Sequence, residues 1–302
     1  MTISPPLAMS PRRFGVAERL AAAVVARHEL VRAVKILNGI GVIPMPLKGV
    51  LLQHTVYRDP AERAIADADL LVPPGRARQS VDALRDHGYS QGAFSGAAVS
   101  SRSPGSKLAL DLHVRLFPPG LFALRAADLF TRGRLDERLF DAVVVLPDPL
   151  DVYAHLVGNF AKGRNDAHNE AQLRDFGALA SRYALAPRGI ARHLERHGLA
   201  RAARYTLPLA VDAGDGHADQ VLHALRADRL GAASARVARA LSERYGSTSP
   251  ASFLAPHLVN RSLPRGAVSA ASRMALGLKN RAMARLGGRA LGPPPPPPHP
   301  DR

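Results

Sequence analysis

Two aspartates separated by one residue, Asp67 and Asp69, sit inside the apolar stretch RAIADADLLV at 63–72. On a strand, residues i and i+2 share a face, so the two carboxylates project together. Ala66, Ala68 and Leu70 are then expected on the opposite, core-facing side. Neighbouring carboxylates repel, and one is driven toward protonation unless a cation lies between them. A hard divalent cation with oxygen ligands resolves the conflict, and Mg²⁺ typically combines one or two carboxylates with substrate phosphates. A third candidate, Asp111, lies on the polar face of KLALDLHVRL, whose leucines alternate cleanly. On an adjacent strand it would complete a two-metal site.

Each of these residues also has a plainer reading. Asp67 and Asp69 fit a solvated strand end that caps the following turn, and Asp111 fits the outer face of an edge strand. His113, two residues after Asp111, reads better as a hydrogen-bonded structural histidine than as a metal ligand, because Mg²⁺ prefers oxygen.

The elements that must position these groups follow from periodicity. Leu20, Val24, Leu30, Val31, Val34 and Leu37 recur at helical spacing over 17–38, and Asn38-Gly39 supplies a stop. GVIPMPLKG reads as a short strand, VLLQHTVY as a short helix, and RAIADADLLV as a strand closed by Pro73-Pro74-Gly75. A helix follows, with Gly88 at its C-terminus. Then comes a Ser/Gly-rich stretch (90–106), the strand KLALDLHVRL and a further strand, FDAVVVL. From Leu150 to about Tyr245 only helical patterns occur, over 150–161, 168–183, 187–197, 199–210, 217–228 and 232–245. Strands first and helices later predict an α+β domain followed by an all-helical one. The expected boundaries are 14–148, 149–248 and a basic, proline-rich tail over 249–302, expected to be disordered.

Composition narrows the classes. The 302 residues are 46% hydrophobic and 22% charged, as in globular proteins. There is no cysteine, hence no disulfide or thiolate chemistry, and the N-terminus makes a poor signal peptide. A cytoplasmic location is the expectation. The formal charge is +16, and from residue 251 onward eight basic side chains face one acid. That tail could make weak contact with an anionic membrane through 261–289. Aromatics are only 5% and form no stacking set, so sequence-specific nucleic-acid recognition is not expected.

In order along the chain stand Leu47-Lys48-Gly49, Tyr57, Arg63, Asp67-Ala68-Asp69-Leu70-Leu71-Val72, Gly88-Tyr89 and Asp111-Leu112-His113. This series resembles an uncharacterised bacterial family of the polymerase-β-type nucleotidyltransferase superfamily. The resemblance implies a small mixed β-sheet domain with flanking helices. It also implies an enzyme that moves a nucleoside monophosphate from a triphosphate to a hydroxyl acceptor, releasing pyrophosphate. Asp67, Asp69 and Asp111 would hold two Mg²⁺ ions, with Mn²⁺ as an alternative, and Asp111 would accept the hydroxyl proton. Lys48 and Gly49 at a helix start would grip the triphosphate, and Arg63 would neutralise the leaving pyrophosphate. In the wider superfamily Gly-Ser or Gly-Gly usually stands where this chain has Lys48-Gly49. Lys48 also fits an ordinary surface lysine and Arg63 a structural ion pair. The acceptor is left open among a small molecule, a sugar, a peptide and a protein. Two other functions compete: a non-catalytic nucleotide-binding or regulatory protein, and a basic membrane or nucleic-acid adaptor working through the tail.

Overall fold

The computed structural model describes residues 15–106, 108–163, 170–245 and 255–260, with a few isolated positions between 264 and 274. The expected disorder of the tail and its membrane contact fall largely outside the described residues. Among the described residues, no helix is long and apolar enough to cross a membrane.

The chain opens with α1 (Val16–Gly39), which buries Leu30, Ala33, Val34 and Leu37 along one stripe. Fully burying a leucine contributes about 2 kcal/mol, so this stripe is enough to seat α1 against the sheet. Strand β1 (Met45–Leu47) runs directly into α2 (Lys48–Thr55). A single 3-10 turn (Pro60–Glu62), capped by Asp59, leads to β2 (Asp67–Leu71). Helix α3 (Ala77–Asp86) follows and ends at Gly88, whose φ of +85° suits glycine.

Strands β3 (Ser90–Phe94) and β4 (Ala98–Arg102) form a hairpin from the Ser/Gly-rich stretch, in which no element was expected. Small polar residues hide the alternation there. Their hydroxyls are satisfied by other side chains instead, Ser101 donating to Gln91 across the hairpin at 3.1 Å and Ser103 to Glu29 on α1 at 2.6 Å. Strand β5 (Ala109–His113) completes a five-stranded mixed sheet of order β1-β2-β5-β4-β3. Only the β2–β5 pair is parallel; the other three pairs are antiparallel. Ala68, Leu70, Leu110 and Leu112 enter the core from one face, as expected. Ala66 does not: the strand begins only at Asp67, and Ala66 is exposed.

After α4 (Ala126–Arg132), strands β6 (Arg134–Asp136) and β7 (Val144–Leu146) make a separate two-stranded ribbon. Helices then fill the chain: α5 (Pro149–Lys162), α6 (Glu170–Arg182), α7 (Pro187–Arg196), α8 (Ala200–Asp212), α9 (Gly216–Ala224), α10 (Arg229–Tyr245) and α11 (Ala255–Leu258). The α+β class with a mixed sheet and flanking helices is thus the observed one. A single buried cluster runs from Leu30 on α1 to Val259 after α11, so sheet and helices share one core.

Candidate active site

The parallel pairing of β2 and β5 sets Asp69 opposite Asp111, with Ala68 opposite Leu110 and Leu70 opposite Leu112. The carboxylates therefore share the sheet face that the leucines leave, and Asp67 joins them two residues before Asp69. Ligand atoms of Asp69, Asp111 and His113 lie within 4.8 Å of one another. Asp69 is buried, whereas Asp67 and Asp111 remain partly open.

Strand β1 brings the cation. Leu47 pairs with Asp69, and the next residue, Lys48, turns the chain into α2. Lys48 has φ +51°, a left-handed backbone that costs a non-glycine residue about 1–2 kcal/mol. From that turn its Nζ donates to Asp69 Oδ1 at 2.5 Å. The same oxygen lies 2.7 Å from His113 Nε2, and Lys48 Nζ lies 3.3 Å from that nitrogen. Leu47 offers no side-chain cap, so the first amides of α2 are left to another acceptor, such as a phosphate.

Gly49 is needed for packing. A Cβ there would stand 2.6 Å from Ile65 Cγ2, so only glycine lets α2 lie against the segment leading into β2.

The electrostatics divide the carboxylates. Burial alone would raise Asp69, but Lys48 and His113 outweigh it and hold its carboxyl well below the usual range. Asp67 is pushed up to about 6 by burial and by the Asp69 charge, with Asp111 adding to the rise and Lys48 and Arg63 opposing it. Burial and the nearby Lys48 ammonium lower His113 below its ordinary value, against the opposing pull of Asp69. Its Nδ1 is buried without a partner. Behind it, His155 on α5 is buried and held well below the ordinary histidine range by burial and by Lys48. Clustered carboxylates, one with a pKa raised by burial and by its neighbour's charge, offer oxygen donors that fit a hard divalent cation.

Arg63 is engaged elsewhere. Its Nε and Nη2 donate to Asp175 on α6 at 2.9–3.1 Å, and Nη1 donates to the Ala64 carbonyl. Tyr57 adds a third donor to Asp175 at 2.8 Å. Arg63 therefore reaches the site through its charge on Asp67, while its hydrogen bonds tie the β2 approach to the helical half. Lys48, Asp69, Asp111 and His113 are brought together, Asp67 stands beside them, and Arg63 and Gly49 shape the surround.

A profile of the family described as uncharacterised nucleotidyltransferase matches residues 13–213. The chain belongs to that family. The match spans every residue of this cluster, and also α5 and α6, which carry His155 and Asp175. A search of curated proteins gave no match. Among solved structures, similarity extends to an antigenic nucleotidyltransferase-like protein from Paracoccidioides brasiliensis. Identity there is 13% and the TM-score 0.34, over 55% of this chain and 77% of that one. A tRNA-processing enzyme in an apo form is similar at 11% identity and a TM-score of 0.25, over 88% of this chain and 80% of that one. Likeness at this level carries no inference about activity.

The sequence pointed to His113 only as a structural histidine, and its place on Asp69 depends on strand register. His155 and Asp175 lie within α5 and α6, where nothing local in the sequence marks their partners.

Proposed function

We propose that this nucleotidyltransferase transfers a nucleoside monophosphate from a triphosphate to a hydroxyl acceptor in a divalent-metal-dependent reaction. The observation that carries this reading is the Asp69–Asp111 register on adjacent parallel strands, with Asp67 on the same face and Lys48 at the adjoining helix start.

Asp67, Asp69 and Asp111 would hold Mg²⁺, or Mn²⁺. When bound, the metal supplies positive charge to the polyphosphate and acidifies the acceptor hydroxyl. The uncapped first amides of α2 donate to the phosphate oxygens of the triphosphate. Lys48 leaves Asp69 Oδ1 for a phosphate oxygen, where it acts as a point charge. Asp111 takes the proton of the acceptor hydroxyl at its carboxylate as the acceptor oxygen bonds to the α-phosphorus. The bond from that phosphorus to the bridging oxygen breaks, and the electron pair leaves with pyrophosphate. His113, buried and held below the ordinary histidine range, fixes Asp69 through its Nε2, with His155 buried on α5.

Labelled triphosphates test the reading. Each nucleoside triphosphate, carrying label at the α or the γ position, is incubated with the full chain, Mg²⁺ and a cell extract. Label from the α position should enter an acceptor fraction while γ label appears in pyrophosphate. Transfer of γ label to an acceptor would replace this reading with a kinase.

A further inference from the structure

A second cluster of ligating side chains lies away from the carboxylates of the sheet, where α4, α5 and α7 meet. Asp151, in the first turn of α5, is wholly buried. His193 and His197 are four residues apart at the end of α7, so they fall on one side of that helix. Their ring centroids are 4.6 Å apart. One ligand atom from each of Asp151, His193 and His197 lies within 4.8 Å of the other two.

The hydrogen bonds of the cluster leave one group out. Asp151 Oδ1 lies 2.8 Å from His193 Nε2. Arg132, at the end of α4, donates Nε to Oδ2 at 2.8 Å and Nη2 to Oδ1 at 2.6 Å. His197 is 8% exposed, and its Nε2 is buried without any hydrogen-bond partner. A buried, unsatisfied polar atom costs roughly 1–3 kcal/mol, so a native site that keeps one calls for an explanation.

We propose that Asp151, His193 and His197 form a Zn²⁺ site distinct from the nucleotidyl-transfer site. Two imidazole nitrogens and one carboxylate oxygen suit zinc, whereas Mg²⁺ favours oxygen throughout. Zinc bonds of about 2.0–2.1 Å place tetrahedral ligands roughly 3.3 Å apart. The spacings present bracket that value: Asp151 Oδ1 and His193 Nε2 stand at 2.8 Å, and all three ligand atoms lie within 4.8 Å of one another. Zinc takes Oδ1 in place of Arg132 Nη2, while Arg132 Nε keeps its hydrogen bond to Oδ2 and so orients the carboxylate. The end of α7, where backbone carbonyls point outward, is favourable for a cation. A metal here staples α5 to α7, and its binding energy becomes folding stability.

The test uses the full chain carrying Asp69→Asn and Asp111→Asn, which silences the sheet carboxylates. After chelation and dialysis, zinc is added and bound metal is measured beside the melting temperature. One zinc per chain and a raised Tm are expected. His193→Gln and His197→Gln in the same background should weaken zinc affinity by about 100-fold or more, beyond the loss usual for a residue that only hydrogen-bonds to a metal ligand. They should also remove the rise in Tm. No retained zinc, or unchanged affinity in both histidine variants, overturns the proposal. Should those variants fail to fold, Co²⁺ added to the natural chain in excess Mg²⁺ provides a second measurement. The visible spectrum of four-coordinate cobalt supports the site, and a purely octahedral spectrum rejects it.

Discussion

Lys48 Nζ and Asp69 Oδ1 are 2.5 Å apart, joining the strained start of α2 to the buried centre of β2. The lysine charge, with His113, holds Asp69 ionised despite its burial. Asp67 is raised by its own burial and by the Asp69 charge beside it, a rise that Lys48 only partly offsets.

The Lys48 turn can be tested by two substitutions that separate strain from charge. Lys48→Gly relieves the left-handed backbone and Lys48→Ala does not, so glycine should be the more stable by about 1 kcal/mol in urea melts. Both remove the ammonium, and both should weaken binding of a non-hydrolysable triphosphate by about 10-fold. Unchanged affinity in both variants would return Lys48 to a purely structural role.

Asp67 predicts a pH dependence. Its folded pKa of about 6 lies above the ordinary 3.8. Between those values the folded chain keeps a proton that the unfolded chain has lost, so stability falls as pH rises through the window. Because Asp67 is partly exposed, the fall should be about 1–2 kcal/mol without metal. Asp67→Asn should flatten it, the variant being the more stable at pH 8 and the difference vanishing below the ordinary aspartate pKa. Mg²⁺ affinity should conversely rise as pH passes upward through about 6. Denaturation and metal titration against pH measure both.

Asp111 should matter to chemistry more than to binding. Asp111→Asn is expected to lower kcat by about 100-fold or more, the scale of general-base loss, while the triphosphate Kd changes by less than about 3-fold. A large loss of affinity at unchanged kcat would move Asp111 from the proton-accepting role to substrate holding.

The Arg63–Asp175 pair should be structural in its effect. Asp175→Ala leaves a buried guanidinium unpaired and should destabilise the chain by about 3–5 kcal/mol. The apolar pair Arg63→Met/Asp175→Leu should recover much of that loss. Equal destabilisation by the single and double variants would show that the pair is not the source.

What the sequence discloses about the site follows from the range of its signals. Asp67, Asp69 and Asp111 declare themselves through period-two alternation, a local property that survives folding. The family resemblance implies that their strands are neighbours, which alternation alone does not, and the parallel β2–β5 register that sets Asp69 opposite Asp111 is a property of the fold. The contact of His113 with Asp69 spans 44 residues and that of Arg63 with Asp175 spans 112, so no local pattern could mark either pair. The β3–β4 hairpin was hidden because serine and glycine in place of β-branched residues give no strand signal. The helical half was legible in its succession because each helix carries its own apolar stripe, but the partners of its buried polar residues were not.

The most direct measurement needs no knowledge of the acceptor: calorimetric binding of a non-hydrolysable triphosphate with and without Mg²⁺, in the natural chain and in Asp69→Asn. If the sheet carboxylates and the triphosphate share the metal, Mg²⁺ should tighten binding to the natural chain by at least about 10-fold and leave the variant unaffected. An equal Mg²⁺ effect in Asp69→Asn, or none in the natural chain, would contradict the assignment of the site.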